Sequence, residues 1–172
     1  MNTQTPALRY LPIPTEVAAE ARRTLRDSFG HQLRVVKENG PCRVCLRITS
    51  ALEDFILLSY RPLADTGPYA EIGPIFIHAA QCSPYADVDT FPADFAARRL
   101  VLRAYDRNGN IAGAAVAEPG HAPWIAAGYL RDEAIAEVHV RHESYTCFDF
   151  NIVRRPNTVA QIVGAQKGTR TP

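Results

Sequence analysis

Apolar residues recur at helical spacing near the start of the chain. The stripe consists of Val17, Ala21, Leu25 and Phe29. Thr15 precedes it as a candidate N-cap, with an acidic residue next to it, and Gly30 follows as a stop signal. Because residues four apart lie on one face of a helix, the spacing predicts an amphipathic helix over 15–29.

Short apolar runs bounded by turn residues predict strands over most of the remaining chain. These runs lie at 33–36, 55–60, 72–79, 100–106, 111–116, 137–143 and 147–153. Asn39-Gly40-Pro41 is typical of a turn, and the spacing over 122–136 predicts a helix interrupted near Gly128. A short helix is also predicted around 93–98. With 13 prolines, the chain favours short elements and many turns.

The first predicted hairpin turns at Asn108-Gly109, the strongest short signal for a tight turn between strands. A two-residue loop there places Arg103 opposite Ala114 and Tyr105 opposite Ala112. Both long polar side chains would then have small neighbours. The register therefore predicts open space above them, for a ligand or for another element of the fold.

The second predicted hairpin turns at Ser144-Tyr145-Thr146 and alternates between apolar and polar positions. The apolar face, which must be core, carries Val138, Val140, Phe148, Phe150 and Ile152. The polar face carries Glu137, His139, Arg141, Asp149 and Asn151. With a three-residue loop, Arg141 lies opposite Asp149 and His139 lies opposite Asn151. Opposite charges across a strand pair are modestly favourable.

Two alternating hairpins and one clear helix predict the α+β class. We expect a twisted, mainly antiparallel sheet with two or three helices packed on one face. No repeat or linker divides the chain, so residues 1–156 are expected to form a single globular domain. Residues 157–172 are polar and poor in large apolar groups, and we expect a disordered C-terminal tail there.

The charge of the chain argues against a general affinity for nucleic acid. Its net charge is +1, whereas non-specific binding depends on many phosphate contacts from Lys and Arg. The densest basic stretch, Arg22, Arg23 and Arg26, falls late in the predicted helix and is typical of a solvated face. No bilayer-length apolar run and no signal-peptide pattern occurs, so we expect a cytoplasmic protein without a membrane partner.

The cysteines form the first candidate site. Four cysteines without an export signal are expected to stay reduced. Cys42-x-x-Cys45 follows a predicted turn, as a zinc knuckle would, and zinc needs two further ligands. Cys82 and Cys147 could complete a structural zinc site, with His78 as a substitute. Because a second close pair is absent, four unrelated buried thiols are the competing interpretation.

Other chemistry at the same pair is disfavoured. A thioredoxin-like redox site needs a helix after the first thiol, whereas Leu46-Arg47-Ile48-Thr49 is strand-like. The sequence also lacks a nucleophile elbow, a phosphate-binding loop, a zinc-protease motif and a dinucleotide fingerprint. These common classes of enzyme are therefore excluded, but enzymes in general are not.

Polar residues form the second candidate site. They are His139, Arg141, Asp149 and Asn151 on one hairpin, Arg103 and Tyr105 on the other, and Arg61, Tyr69 and Glu71 on an adjoining loop. If these groups meet in one concavity, they form an anion-binding site with a base, and the catalytic candidates are His139, Arg141 and Glu71. The competing interpretation is an ordinary solvated face of an antiparallel sheet.

The order of several short motifs resembles that of one bacterial family. The motifs are Pro41-Cys42-Arg43-x-Cys45-Leu46, Leu58-Ser59-Tyr60-Arg61-Pro62, Pro68-Tyr69-Ala70-Glu71-Ile72-Gly73-Pro74-Ile75-Phe76-Ile77-His78-Ala79 with Cys82, Leu102-Arg103-Ala104-Tyr105-Asp106, and Val138-His139-Val140-Arg141 followed by Cys147-Phe148. Together they resemble the family called domain of unknown function 1203, over residues 8–155. The resemblance implies a small, stand-alone bacterial protein and supplies no activity, cofactor or catalytic residue.

Three classes of function follow from these observations. The first is a domain or enzyme that binds a small anionic ligand through the arginine and histidine faces. The second is a zinc-stabilised structural or protein-interaction module. The third is a purely structural or partner-binding protein. Nothing in the sequence indicates the oligomeric state.

Overall fold

The computed structural model of the protein describes residues 5–63 and 67–156. The strands are β1 (Leu8–Leu11), β2 (Val35–Pro41), β3 (Ile48–Tyr60), β4 (Gly73–His78), β5 (Leu100–Asp106), β6 (Ile111–Ala117), β7 (Ile135–His142) and β8 (Phe148–Arg154). The helices are α1 (Thr15–Thr24), α2 (Ala93–Ala96) and α3 (Ala122–Tyr129). The predicted tail at 157–172 lies outside the described residues, and the single domain over 1–156 stays a prediction.

The strands form two antiparallel sheets. Five strands pair in the order β1-β8-β7-β5-β6, and three pair in the order β2-β3-β4. Helix α3 packs on β5, β6 and β7, whereas α1 packs on β3. This confirms the α+β class, although the strands divide into two sheets and the helices are shared between them. Among the described residues, no helix has the length and apolar content needed to cross a bilayer.

Each sheet has its own hydrophobic core. The larger core joins the five-stranded sheet to α3 and includes Leu102, Val138, Val140, Phe150, Ile152, Ala126 and Leu130. The smaller core lies between α1 and the three-stranded sheet and includes Ala18, Ala21, Phe55, Leu58, Ile75 and Ile77. Phe148 belongs to the smaller core although it begins β8. The start of β8 is therefore where the two sheets meet.

The β5–β6 hairpin confirms one predicted strand pair and corrects the loop. Arg103 lies opposite Ala114 as expected, but Tyr105 lies opposite Ile111 because the register shifts after Ala104. The loop has three residues, since the Asp106 amide donates to the Asn110 carbonyl at 2.9 Å. The Asp106 carboxylate also accepts the amides of residues 108 and 110, each at 2.8 Å. This side chain stabilises the longer loop and explains the shift.

The β7–β8 hairpin also departs from strict alternation. His139 lies opposite Asn151 as predicted, but Arg141 lies opposite Phe148 and not opposite Asp149. The register shifts between Val140 and Arg141, so Asp149 is an extra residue in a bulge. The bulge moves Phe148 off the face that Val140 shares with the larger core. The prediction that placed Phe148 on that face was therefore wrong.

The remaining boundaries differ from the predictions in physically simple ways. Helix α1 ends at Thr24, because Leu25 adopts the left-handed conformation with φ 48°, and Thr15 is the first helical residue after Pro14, not the N-cap. Asn39-Gly40-Pro41 lies inside β2 beside a bulge, and the turn falls at 42–47 instead. The pairing of β1 with β8 was not predicted.

Candidate metal centre

A tight turn between β2 and β3 presents the first two thiols. Pro41 and Ile48 are the last strand pair, and the Cys42 amide donates to the Arg47 carbonyl at 3.0 Å. The Leu46 amide closes the turn by donating to the Cys42 carbonyl at 2.9 Å, with Leu46 itself in the left-handed region at φ 54°. The thiols of Cys42 and Cys45 thus lie on one side of the turn, facing the end of β4.

The end of β4 supplies two more donors. His78 is the last residue of the strand, and Cys82 follows in the loop after it. The Cys42 and Cys82 Sγ atoms are 3.8 Å apart, and the Cys45 Sγ lies 3.6 Å from His78 Nδ1. One donor atom from each of the four residues lies within 4.8 Å of the others. We call Cys42, Cys45, His78 and Cys82 the thiol cluster.

The spacing of the thiol cluster can be compared with a tetrahedral zinc site. Zinc lies about 2.3 Å from thiolate sulfur and about 2.0–2.1 Å from imidazole nitrogen. A regular tetrahedron then needs about 3.8 Å between two sulfurs and about 3.5–3.6 Å between a sulfur and a nitrogen. The observed separations of 3.8 Å and 3.6 Å meet both requirements. The side chains could hold zinc with little rearrangement.

Groups outside the thiol cluster orient its members. Glu53 Oε2 lies 3.2 Å from His78 Nε2, which leaves Nδ1 to face the thiols. Carboxylates that fix the far nitrogen of a ligating histidine are a general feature of metal sites. Arg22 donates to the His78 carbonyl at 3.1 Å and to the Cys82 Sγ at 3.6 Å. The prediction of a solvated face is therefore wrong for Arg22.

Hydrogen bonds already separate the thiols into different protonation states. A hydrogen bond from the Cys45 thiol, opposed by burial, lowers the pKa of Cys42 to about 4. The amide of His78 contributes to this by donating to the Cys42 Sγ at 3.4 Å. The same thiol–thiol bond raises the pKa of Cys45, and burial raises the pKa of Cys82. Cys42 is therefore the member of the thiol cluster that loses its proton most readily.

The sequence left the fourth ligand open between Cys147 and His78, and the structure places His78 in the thiol cluster. Cys147 lies in the turn before β8, and its thiol is 3.7 Å from the Tyr145 carbonyl. The reason is topological: β4 pairs with β3, next to the turn that carries Cys42. The turn before β8 belongs to the other sheet. The fourth candidate ligand is therefore His78 and not Cys147.

The predicted polar face is buried where the sheets meet and is not a solvated surface. His139, Arg141 and Asp149 are all buried. Arg103 Nη1 lies 2.7 Å from Glu71 Oε1, and Arg141 Nη1 lies 2.8 Å from Glu71 Oε2. Three of the predicted residues therefore converge on one point. We call Arg103, Arg141 and Glu71 the arginine clamp.

His139 lies beside the arginine clamp in an aromatic setting. Its ring centroid is 4.3 Å from that of Tyr105 and 5.2 Å from that of Phe148. Glu137 Oε1 is 3.4 Å from His139 Nε2, and Glu137 Oε2 accepts the Asn151 side-chain amide at 2.9 Å. Burial lowers the pKa of His139, and the neighbouring carboxylate only partly opposes this. His139 is therefore neutral at physiological pH.

The other predicted residues lie elsewhere. The Arg61 guanidinium stacks 5.4 Å from the Phe29 ring centroid, and Tyr69 is exposed. Asp149 forms a buried ion pair with Arg43, at 3.0 Å between Oδ1 and Nη2. Burial raises the pKa of Asp149 to about 6, although the Arg43 guanidinium opposes the shift. Arg61 and Asp149 thus have structural contacts, and none of the three residues is part of the arginine clamp.

The roles of two residues at the site, Glu53 and Arg43, could not be found from the sequence. Glu53 reaches His78 only because β3 and β4 pair in a register that no motif shows. Arg43 donates to the Phe148 carbonyl at 2.8 Å and to the Pro41 carbonyl at 2.7 Å. Its only signal was a charged residue between two cysteines that were expected to be buried.

Comparisons with known proteins give a family and no activity. One protein-family model matches residues 39–154, and its description is "Protein of unknown function (DUF1203)". The match covers both the thiol cluster and the arginine clamp, and it confirms the resemblance seen in the motif order. No curated protein matches the chain. No solved structure matches it either.

Proposed function

The chain belongs to this family of proteins of unknown function, and we propose from its geometry that it is a zinc-stabilised domain whose thiol cluster binds one structural zinc ion. One observation carries the proposal. Three sulfurs and one imidazole nitrogen, from two separate segments, lie within 4.8 Å of one another. The Cys42–Cys82 and Cys45–His78 separations, 3.8 Å and 3.6 Å, are those of a tetrahedral zinc site. Soft thiolate ligands with one imidazole favour zinc over the hard cations.

The donor set supports a structural role for the metal. A catalytic zinc ion keeps one coordination position for water or substrate, whereas four protein donors fill a tetrahedral site. Cys42 is fully buried, and Cys45, His78 and Cys82 are partly buried, so the four donors enclose the site. A bound zinc ion would tie the turn at 42–47 to the end of β4.

The same turn connects the two sheets through Arg43, which reaches Phe148 and Asp149 of β8. Zinc would therefore stabilise the three-stranded sheet directly and the junction with the five-stranded sheet indirectly. The proposal also implies a reducing compartment such as the cytoplasm, in which cysteines stay reduced and available as ligands.

Metal analysis tests the proposal with a control from the same chain. Protein purified without added metal should contain about one zinc ion per chain, as one closed site requires. Cys42→Ser and Cys45→Ser should lose it. Cys147→Ser should keep it, because Cys147 lies outside the thiol cluster. Equal zinc content in Cys42→Ser and Cys147→Ser would contradict the proposal.

Chelation separates a structural metal from a surface-bound one. Removing zinc with a chelator should lower the Tm of the wild-type protein and of Cys147→Ser. It should leave the Tm of Cys42→Ser unchanged, because that variant has already lost the site. Glu53→Gln should weaken zinc affinity by about 10–100-fold, since Glu53 orients the His78 ring. A chelator that leaves the wild-type Tm unchanged would overturn the structural role.

A further inference from the structure

The arginine clamp places two guanidinium groups around one carboxylate. Arg103 on β5 lies opposite His139 on β7, and Arg141 is two residues further along β7, so the two arginines share a face. Arg103 Nη1 donates to Glu71 Oε1 at 2.7 Å, and Arg141 Nη1, which donates to the Thr146 carbonyl at 3.0 Å, forms an ion pair with Glu71 Oε2 at 2.8 Å. The space between them is therefore shaped for a planar group with two oxygens.

We infer that Arg103 and Arg141 bind the carboxylate of a small organic acid, and that Glu71 occupies this site as an internal competitor when the acid is absent. The inference goes beyond the zinc proposal, because the arginine clamp and the thiol cluster share no residue. The ligand class is a small organic acid, and Arg103 and Arg141 are its binding groups.

The two arginines of the clamp are more buried than Glu71, as expected for fixed binding groups and a carboxylate that can be displaced. The side chains of Arg141 and Arg103 are 6% and 22% exposed, whereas that of Glu71 is 46% exposed. Glu71 lies outside the strands, two residues before β4 begins. Backbone bonds within the loop, from Glu71 to Tyr69 and from Ala70 to Gly67, hold this segment. Because Glu71 belongs to no strand, moving its side chain aside breaks no strand pairing in either sheet.

Buried polar atoms next to the clamp lack partners. Arg141 Nε and the Nδ1 of His139 make no hydrogen bond within the described residues. Buried polar atoms are normally hydrogen-bonded, so unpartnered ones indicate a group that the protein itself does not supply. The His139 side chain is fully buried, and its neutral ring can donate or accept one bond.

The adjoining cleft limits the size of the ligand. Glu71 and Arg141 line a cleft of about 290 Å³, together with Tyr60, Thr146 and Phe148. This volume is at the lower end of the range for ligand pockets, which is about 300–1,000 Å³. The aromatic wall suits the carbon skeleton of a small acid. The volume therefore favours a compact acid over a nucleotide or a peptide.

Binding to wild-type and Glu71→Gln protein tests the inference. The zinc-containing full chain is titrated with acetate, succinate, citrate and inorganic phosphate, with chloride at matched ionic strength as reference. If Glu71 leaves the clamp open about a tenth of the time, wild type binds about tenfold more weakly than Glu71→Gln. Carboxylates should bind wild type saturably, bind Glu71→Gln about tenfold more tightly, and fail to bind Arg103→Gln.

Controls keep each outcome decisive. Glu143→Gln removes a carboxylate paired with Arg99 outside the clamp and should bind like wild type. Arg103 is partly exposed, so Arg103→Gln should fold, and its zinc content and circular dichroism check this. Binding by phosphate but by no carboxylate would overturn the ligand class. Equal responses to carboxylate and chloride in both wild type and Glu71→Gln would show that the clamp is only a structural ion pair.

Discussion

Single side chains fix several loops of this protein, and Asp27 does so through four contacts. Its Oδ1 accepts the amides of Phe29 and His31 at 3.0 Å and 2.9 Å. Its Oδ2 accepts the Ser59 amide at 3.1 Å and lies 3.0 Å from the His31 ring. Burial favours the protonated carboxyl, but these bonds outweigh it and lower the pKa of Asp27. One carboxylate thus joins the segment after α1 to β3.

Replacing Asp27 should therefore destabilise the protein strongly for a residue in a loop. Asp27→Ala leaves two backbone amides of the loop and the Ser59 amide without their acceptor. We expect a loss of about 2–3 kcal/mol in the free energy of unfolding, measured by urea denaturation at pH 7. Asp87→Ala, at an exposed carboxylate, is the control and should change stability by less than about 0.5 kcal/mol. Equal effects of the two changes would contradict this role of Asp27.

His139 should make stability depend on pH near neutrality. Burial lowers its pKa, so the folded state keeps it neutral while the unfolded state binds a proton below about pH 6.5. The stability that His139 contributes is present above that pH and is lost as the pH falls towards the folded-state pKa. His139→Phe keeps a ring in the aromatic setting and should flatten the decline in Tm between pH 7 and 5.5. His121→Gln, at an exposed histidine, should leave the decline as in wild type.

At this scale the sequence identified the right residue types and part of their grouping. Cys42, Cys45 and Cys82 could be named as candidate ligands, because the cysteines and the short spacing of two of them are visible in the sequence. Glu71 and the two arginines could be named, but their convergence could not. It depends on how a loop before β4 meets the face of another sheet. Side-chain chemistry is local, whereas convergence is set by strand order.

At the scale of elements, a close contact between α3 and β6 fixes how the helix lies on the sheet. A Cβ added at Gly113 of β6 would lie 2.6 Å from Tyr129 Cε1. Real Cβ atoms do not approach carbon so closely, so the absence of a side chain lets the Tyr129 ring pack against the strand. Gly113 thus has a packing role, which differs from the turn role of Gly109 at φ 75°.

Gly113→Ala should therefore destabilise the protein by about 1–3 kcal/mol, as overpacking does. Gly128→Ala is the matched control. It lies in α3, where an added Cβ meets no described atom within 4 Å, and should stabilise by up to about 1 kcal/mol. Thermal denaturation of Gly113→Ala, Tyr129→Ala and the double variant, beside Gly128→Ala, checks the mechanism. If the effects of Gly113→Ala and Tyr129→Ala simply add in the double variant, the proposed clash is contradicted.

The elements themselves were largely predictable, and their registers were not. Alternation and turn residues located both hairpins to within a few residues. Both registers then shifted by one residue, at Asp149 and near Asp106. A bulge depends on what lies across the strand, in these cases a buried Arg43 and a loop capped by Asp106. Alternation of apolar and polar residues along a strand carries no information about Arg43 or about the loop that Asp106 caps.

For the whole molecule, the buried pair of Arg43 and Asp149 joins the two sheets. Its side chains are 4% and 1% exposed. Arg43 lies in the turn of the thiol cluster, and Asp149 lies in the bulge of β8. Alternation had indicated which residues share a face but not which sheet a strand joins. The division into two sheets could therefore not be predicted from periodicity alone.

Removing one member of this ion pair should lower the free energy of unfolding more than replacing both members with apolar residues. Asp149→Leu leaves a buried guanidinium without its partner, and we expect a loss of about 3–5 kcal/mol in the free energy of unfolding. The double variant Arg43→Met with Asp149→Leu should recover part of that loss, because an apolar pair avoids the unpaired charge. Recovery is incomplete because the Phe148 and Pro41 carbonyls lose the donor that Arg43 supplies. Urea denaturation of the three proteins measures both effects. A double variant as unstable as Asp149→Leu would contradict this account.

The position of the thiol cluster along the chain has a consequence for biosynthesis. All four donors lie within residues 42–82, and the three-stranded sheet lies within residues 35–78. The five-stranded sheet, in contrast, cannot form until β8 at Phe148–Arg154 has left the ribosome. At about 5–20 residues per second, residues 83–149 take about 3–13 s to synthesise. A zinc ion bound during that interval would stabilise the three-stranded sheet on the nascent chain. Arg43 would then be in position before Asp149 is synthesised. Zinc supply during translation would then affect the yield of folded protein.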